Sequence, residues 1–482
     1  MKITKLASRV VLGAALVGAA ATAVSAQETL RSLAEERGRY IGAILNSEWF
    51  GGGWGASLEP EFEQIHKTQF NAVVAENEMK FDATEPSQNT FSYDKGDKMV
   101  TYAQENKMRV RGHALAWHSQ VPGWVNNIRS KGDLLNVLKN HIDNVVTHYK
   151  GKVAEWDVVN EAINDDNNHG WRSNGSVWFQ TIGAEFLDSA FVWAHAADPD
   201  AELCYNDYAI EWGIGSGSKA GFLLQQVDHW VENKIPITCV GTQTHIEISH
   251  ESTPQNVRTL AKELAKRNLK LNITELDIGF PQGSANNLVA SDYEKQGHLY
   301  RQFMDVFLEE PNMGEFMIWG VTDAHSWLDG QQGKTQGLIY DKQYKAKPAF
   351  DSLVASFKAH PASEVVSPYK SAASVDTTAK DTIAKDTTAK DTTAKDTTAK
   401  DTVPTAFAAS KVETLGMSLS GRTLSISGAR SANVEVFDLQ GRPVFAEKAV
   451  TGSVELSRVS RGLYVVRIVD GSRSLERRIV IR

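Results

Sequence analysis

Two glutamates, Glu161 and Glu275, are the residues whose types and placement point most directly to chemistry. Each closes an apolar run rich in β-branched residues: Trp156-Asp157-Val158-Val159-Asn160-Glu161 and Asn272-Ile273-Thr274-Glu275-Leu276-Asp277. They lie 114 positions apart, so only a fold can bring them together. A carboxylate delivered at the end of a buried strand is costly unless it is paired or hydrogen-bonded. Two such deliveries suggest a pair working as a unit. Two carboxyl groups flanking one bond are the equipment for cleaving a glycosidic linkage, one protonating the leaving oxygen while the other attacks carbon. Either alone reads as well as a strand-end acid capping the helix that follows.

Other polar and aromatic residues recur at the same kind of position. They are Glu76, Asn77 and Lys80, then His113, Trp117, His118 and Gln120, then Asn160. Further on come Asn206, Asp207 and Tyr208, Gln243 and His245, Asp277, and finally Trp319 and Trp327. Aromatic planes among amides, imidazoles and carboxylates suit a sugar, which has apolar ring faces and a rim of hydroxyls. Singly, His113 reads as a satisfied core histidine and Trp319 as packing. Their shared position at strand ends argues for a site.

The elements that must position these groups are short apolar runs separated by amphipathic helical stretches. The runs cover 40–45, 72–75, 110–114, 153–159, 203–205, 239–242, 271–274 and 316–320, with helices such as 176–197 and 256–267 between them. Near-continuous apolar runs are what strands buried on both faces require. Eight strand-helix units predict an α/β fold, a closed (β/α)8 TIM barrel, whose chemistry sits at the carboxyl ends of its strands.

Residues 31 to 360 resemble a glycoside hydrolase family 10 endo-β-1,4-xylanase. The resemblance rests on Glu76-Asn77-Glu78-Met79-Lys80, Gly112-His113-Ala114-Leu115-Ala116-Trp117-His118, the stretch from Trp156 to Ala162, and Asn206-Asp207-Tyr208. It continues through Gly241-Thr242-Gln243-Thr244-His245, Thr274-Glu275-Leu276-Asp277, Trp319-Gly320-Val321-Thr322-Asp323 and Lys347-Pro348-Ala349. It implies that Glu161 is the acid/base and Glu275 the nucleophile of a retaining mechanism. It implies Asn160 on the sugar 2-hydroxyl, and His245 against Glu275 with Asp277 behind. Glu76, Asn77 and Lys80 would hold the xylose on the non-reducing side, and Trp319 and Trp327 would form aromatic walls. His113, Trp117 and Gln243 would line the floor, and Tyr208 joins the substrate-binding set. The implied substrates are xylan and xylo-oligosaccharides; the alternatives are a β-1,4-glucanase of the same fold or a non-catalytic glycan-binding surface protein. The loop between Trp49 and Leu58 departs from the family in its Gly and Trp content, and Trp54 there is a candidate stacking platform.

Composition bounds the rest. The chain has 482 residues, is 41% hydrophobic and carries a net charge of −8, which speaks against nucleic acid as a partner. Residues 1–26 read as an export signal, with Lys2, Lys5 and Arg9 before an apolar centre and Val24-Ser25-Ala26 at the cleavage site. No stretch is long enough to predict a membrane span. Gly213-Ile214-Gly215-Ser216-Gly217 lacks the third glycine of a nucleotide fingerprint. The stretch 164–169 lacks calcium-loop spacing. No cofactor and no metal are therefore expected. Cys204 and Cys239 are expected to be buried free thiols, on the argument that neighbouring parallel strands hold backbones badly for bridging.

The expected organisation is a catalytic barrel over 27–360, a linker over 361–406 and a small β-sandwich over 407–482. The linker contains five repeats of the type Asp-Thr-Thr-Ala-Lys, which alternate acid and base and develop no apolar face. Past it, Val434, Val436, Tyr464, Val466 and Ile468 alternate with period two, and Asp470-Gly471 reads as a two-residue hairpin turn. The module carries 12 basic against 7 acidic residues and no Trp. It resembles the sorting domains of the type IX secretion system, on Val434-Glu435-Val436-Phe437-Asp438-Leu439-Gln440-Gly441-Arg442, Gly462-Leu463-Tyr464 and the basic end Arg477-Arg478-Ile479-Val480-Ile481-Arg482. That implies secretion machinery as a partner and a secreted or cell-surface protein exported through the periplasm; the chain is expected to be a monomer.

Overall fold

The computed structural model describes residues 28–46, 59–166, 169–331 and 333–369. In the tail it describes 416–420, 422–427, 429, 431–437, 443–470 and 473–481. The expected export signal, the repeats and Trp54 lie outside the described residues. Two units are distinct, divided near residue 381.

The first unit is built on β1 (Tyr40–Leu45), β2 (Ala72–Ala75), β3 (Arg109–Trp117), β4 (Glu155–Asn160) and β5 (Glu202–Asp207). It continues with β6 (Cys239–Thr242), β7 (His245–Glu247), β8 (Lys270–Pro281), β9 (Met313–Ile318) and β10 (Lys334–Thr335). Parallel pairing runs β1-β2-β3-β4-β5-β6-β8-β9, and β9 returns to β1 with Tyr40 opposite Glu315. Eight parallel strands thus close a barrel. Residues of β2, β4, β6 and β9 are all buried, as strands covered on both faces require. The two short strands lie at the rim, β7 parallel and β10 antiparallel to the long end of β8.

Local chemistry sets the helices between strands. Ser130, Ser176 and Ser218 cap the helices Lys131–His148, Val177–Ile182 and Lys219–Glu232 by accepting from backbone N–H groups of the first turn. Proline opens Pro60–Gln69 and Pro348–Ala359, where its missing N–H costs nothing. The helix expected over 176–197 is two, Val177–Ile182 and Glu185–Ala197, because Gly183 turns the chain at φ 88°.

The barrel's amino-end floor is charged and internally paired. Arg109 is paired with Glu315 and lies 3.2 Å from Glu202, while Arg111 is paired with Asp157 and lies 3.4 Å from Glu155. Beneath it Tyr369 stacks edge-on against Tyr40 at 5.0 Å, with Arg109 and Lys270 over its ring at 4.9 and 4.4 Å. The packed unit therefore runs on to Tyr369.

The expectation of free thiols is overturned. Cys204 and Cys239 form a disulfide between β5 and β6. The register sets them directly opposite each other with Cα atoms 4.5 Å apart, inside the range a disulfide spans. Paired residues of parallel strands point to the same face, a fact the geometric objection overlooked.

The second unit is antiparallel. Its strands are β11 (Gly416–Ser420), β12 (Thr423–Ser427), β13 (Ala432–Phe437), β14 (Pro443–Val450), β15 (Ser453–Glu455), β16 (Gly462–Asp470) and β17 (Arg473–Ile481). They form a three-stranded sheet β11-β12-β15 and a four-stranded sheet β14-β13-β16-β17, a small sandwich. Leu424, Ile426, Val434, Val436, Val454, Val466 and Ile468 form its core, so the period-two alternation reads through. Asp470 pairs with Arg473, so the expected turn residue Asp470 is the last of β16, while Gly471 lies outside the described residues.

Candidate active site

At the carboxyl ends of the barrel strands opens a cavity of about 460 Å³. Its walls bring together Glu76, Asn77, Lys80, His113, Trp117, Asn160, Glu161, Gln243, His245, Glu275, Trp319 and Trp327, together with Gln120 and Asp329. Residues drawn from six strand ends meet there.

The two central carboxylates have different surroundings. Glu161 follows β4 on a left-handed backbone, φ 54°. Its side chain accepts from Trp117 Nε1 and from Gln243 Nε2, both at 2.8 Å. His118 Nδ1 is 3.8 Å away, but burial and then the charge of Arg172 push that imidazole down to about 4. Glu161 therefore faces neutral donors. Glu275, within β8, accepts from Asn206 Nδ2 at 2.8 Å and lies 3.1 Å from His245 Nε2. The other nitrogen of His245 is 2.8 Å from Asp277, which also accepts from Trp327 Nε1 at 2.8 Å. Burial works against the charge on His245, but Asp277 and then Glu275 outweigh it and raise the imidazole to about 10. Burial likewise works against the charge on Glu275; the His245 hydrogen bond, His113 and Asn206 overcome it and bring the carboxyl to about 2. One acid is thus locked as an anion beside a cation.

The Asn160 amide stands between the carboxylates, 3.0 Å from Asn206 Nδ2 and 3.3 Å from Gln243 Nε2. On the β2 side, Lys80 donates to Asn77 at 3.0 Å and to Gln120 at 2.8 Å, and its ammonium lies 4.9 Å over the Trp117 ring. Glu76 accepts from Asn46 at 2.5 Å. His113 is held at 2.8 Å by Asp157, so the charged barrel interior orients a cavity residue from below. Trp319 meets the His113 ring edge-on at 5.5 Å, and Trp327 lies 4.6 Å from that of His245.

The supporting Asp277 is buried behind His245, and of the expected substrate-binding residues Tyr208 alone does not line the cavity. Its hydroxyl is bonded to Asp165 and to Arg172 at 3.0 Å, and Lys219 sits 3.7 Å over its ring. Arg172 escaped the sequence reading, yet it donates to the Glu161 carbonyl at 2.9 Å and to the Ile163 carbonyl at 3.1 Å. Asp329 was also missed. It follows Trp327 by two residues and accepts from Thr335 at 2.8 Å and Lys342 at 2.6 Å.

A (β/α)8 barrel with two unequal carboxylates in a cavity of aromatic, amide and charged side chains fits the class of glycosidases. The description Glycosyl hydrolase family 10 matches residues 29–356, and the chain belongs to that family. The description Secretion system C-terminal sorting domain matches residues 420–482. The chain is 35% identical to Endo-1,4-beta-xylanase B of Thermotoga neapolitana, over 70% of this chain and 94% of that protein. It is also 35% identical to Endo-1,4-beta-xylanase A of Thermoanaerobacterium saccharolyticum, of whose length it spans 26%. Native xylanase 10B from Thermotoga maritima superposes with a TM-score of 0.64 at 35% identity, covering 69% of this chain and 98% of that one. Among the described residues no helix is long and apolar enough to cross a membrane.

Proposed function

We propose that the cavity hydrolyses internal β-1,4-xylosidic bonds of xylan with retention of configuration. The observation that carries this reading is the asymmetry of the two acids: Glu275 touches a cationic imidazole, Glu161 only neutral donors. Glu275, held ionised, attacks the anomeric carbon while Glu161 gives its proton to the departing oxygen. The ester removes the negative charge of Glu275, so Glu161 can stay ionised and take a proton from the water that attacks the same carbon. Attack by water releases Glu275 as carboxylate and restores the proton to Glu161. Acid–base help of this kind contributes about 10²–10⁴-fold.

Asn160 is assigned to the 2-hydroxyl of the sugar being cleaved. Glu76, Asn77 and Lys80 hold the residue on the non-reducing side, Trp319 and Trp327 wall it, and His113, Trp117 and Gln243 form the floor. Tyr208 acts from outside the cavity, beside the Glu161 loop. The domain limits 1–26, 27–360, 361–406 and 407–482, with the linker's first residues up to Tyr369 packed on the barrel, passage through the periplasm and a monomeric state belong to the same reading.

The test is mutational. Glu275→Ala should bind xylo-oligosaccharide and not turn it over. Glu161→Ala should recover activity on an activated aryl xylobioside when azide is added, giving a product of retained configuration. Full activity of either variant refutes the assignment, and faster release of reducing sugar from soluble cellulose than from xylan would move the substrate to glucan.

A further inference from the structure

Glu161 holds a left-handed backbone, φ 54°, which a residue with a side chain keeps only where its surroundings impose it. Trp117 and Gln243 fix the head of its side chain, and the turn must fix the base. In Glu161-Ala162-Ile163 all six backbone polar groups are taken. The Glu161 N–H donates to the Asn206 carbonyl at 2.9 Å. The Ala162 and Ile163 N–H groups both donate to the Tyr205 hydroxyl, at 3.1 and 3.2 Å. The Glu161 and Ile163 carbonyls accept from the Arg172 guanidinium at 2.9 and 3.1 Å, and the Ala162 carbonyl from the Arg172 N–H at 2.7 Å. Arg172 returns to this place because Ile163 and Trp171 form an antiparallel bridge.

Two side chains thus grip one turn, and a single cation ties them together. The Tyr205 hydroxyl donates to Asp207 at 2.5 Å, which leaves its oxygen to accept both N–H groups. Burial, then Asp207, push the phenol well above its ordinary range, so the hydrogen stays on. Lys219, first residue of its helix, lies 2.8 Å from Asp207 and 3.0 Å from Asp165, and Asp165 lies 3.1 Å from Arg172. Tyr205 is fully buried, and neither it nor Arg172 lines the cavity.

We propose that Tyr205 and Arg172 are positioning residues, which hold the Glu161 turn in the one conformation that aims its carboxyl group at the leaving oxygen. This rests on the xylanase reading. A general acid works within hydrogen-bond reach of the oxygen it protonates, so a displacement of about 1 Å at its base can cost about 10²-fold. The loss falls on reactions that need the proton. A sugar leaving group needs it; a dinitrophenolate departs without it.

The experiment uses the full chain and Tyr205→Phe, which deletes the hydroxyl and keeps the ring, with xylan and with a dinitrophenyl xylobioside. On xylan kcat/KM should fall about ten- to a hundredfold, and on the dinitrophenyl substrate it should stay within about threefold. On the latter kcat should fall, because release of the sugar from Glu275 needs Glu161 as base, and azide should restore it. Arg172→Ala carries the same expectation and the same refutation, so the proposal is decided even where Tyr205→Phe does not fold. Xylan rates equal to those of the unaltered chain overturn it. So does an equal loss of kcat/KM on both substrates, the mark of a merely structural role. Failure of the unaltered chain to cleave either substrate sinks the xylanase reading itself.

Discussion

His245 holds the charge on Glu275, and its two nitrogens divide the task. One faces Asp277, which keeps the imidazole protonated; the other faces Glu275, which that proton keeps ionised. The signs follow from the shifts. His245 is raised from 6.5 to about 10, so its contribution to stability is complete below about 6.5 and disappears as pH rises through about 10. Glu275 is lowered from 4.5 to about 2, so its contribution is present above about 4.5 and is lost as pH falls towards about 2. His245→Ala removes the cation and leaves burial to dominate, so the Glu275 carboxyl should move up. The acid limb of the kcat/KM profile on an aryl xylobioside should shift to higher pH, with kcat down about 10²-fold or more. An acid limb that stays in place would show that His245 does not set the charge of Glu275.

At the scale of elements, what was legible followed from burial. The barrel strands are largely buried on both faces and each carries an apolar stretch, so its run stood out with no partner in view, and the polar or aromatic residues after it marked the cavity. Glu161, Glu275, Asn77 and Trp327 were found that way. Arg172 and Asp329 were not, because they sit in loops or short turns past the strand ends, where charged residues are ordinary. β7 and β10, of three and two residues, are too short to show a period. The disulfide was misread because register between neighbours is a property of the closed barrel. Tyr369 was invisible for the same reason: it lies past the last helix and matters only because β1, β3 and β8 begin where it packs. Tyr369→Ala should cost about 2 kcal/mol, lowering Tm by several degrees, and leave kcat at 25 °C unchanged because the cavity is at the other end of the strands. A thermal melt and a rate on one preparation decide it; an unchanged Tm would mean the aromatic floor adds nothing.

For the whole molecule, the division of labour is between two units with separate apolar cores, one bearing the chemistry and one a match to a sorting domain. The 25 residues of repeat between them alternate acid and base with no apolar face, and a sequence of that kind transmits no packing. Removing the second unit should therefore leave the barrel's core and its cavity intact. Among the described residues the cavity lining ends at Asp329 and the groups that hold it, Lys334, Thr335 and Lys342, belong to the first unit, so catalysis in the truncated chain should match the full one. What should change is where the enzyme is found. A chain ending at residue 406, expressed in a host with the matching secretion machinery, should be active in the periplasmic fraction and missing from the medium and cell surface. Fractionation followed by a xylan-hydrolysis assay reads both quantities at once. Release at the normal level would assign the sandwich another role, and an inactive truncated chain would mean that the two units depend on each other for folding.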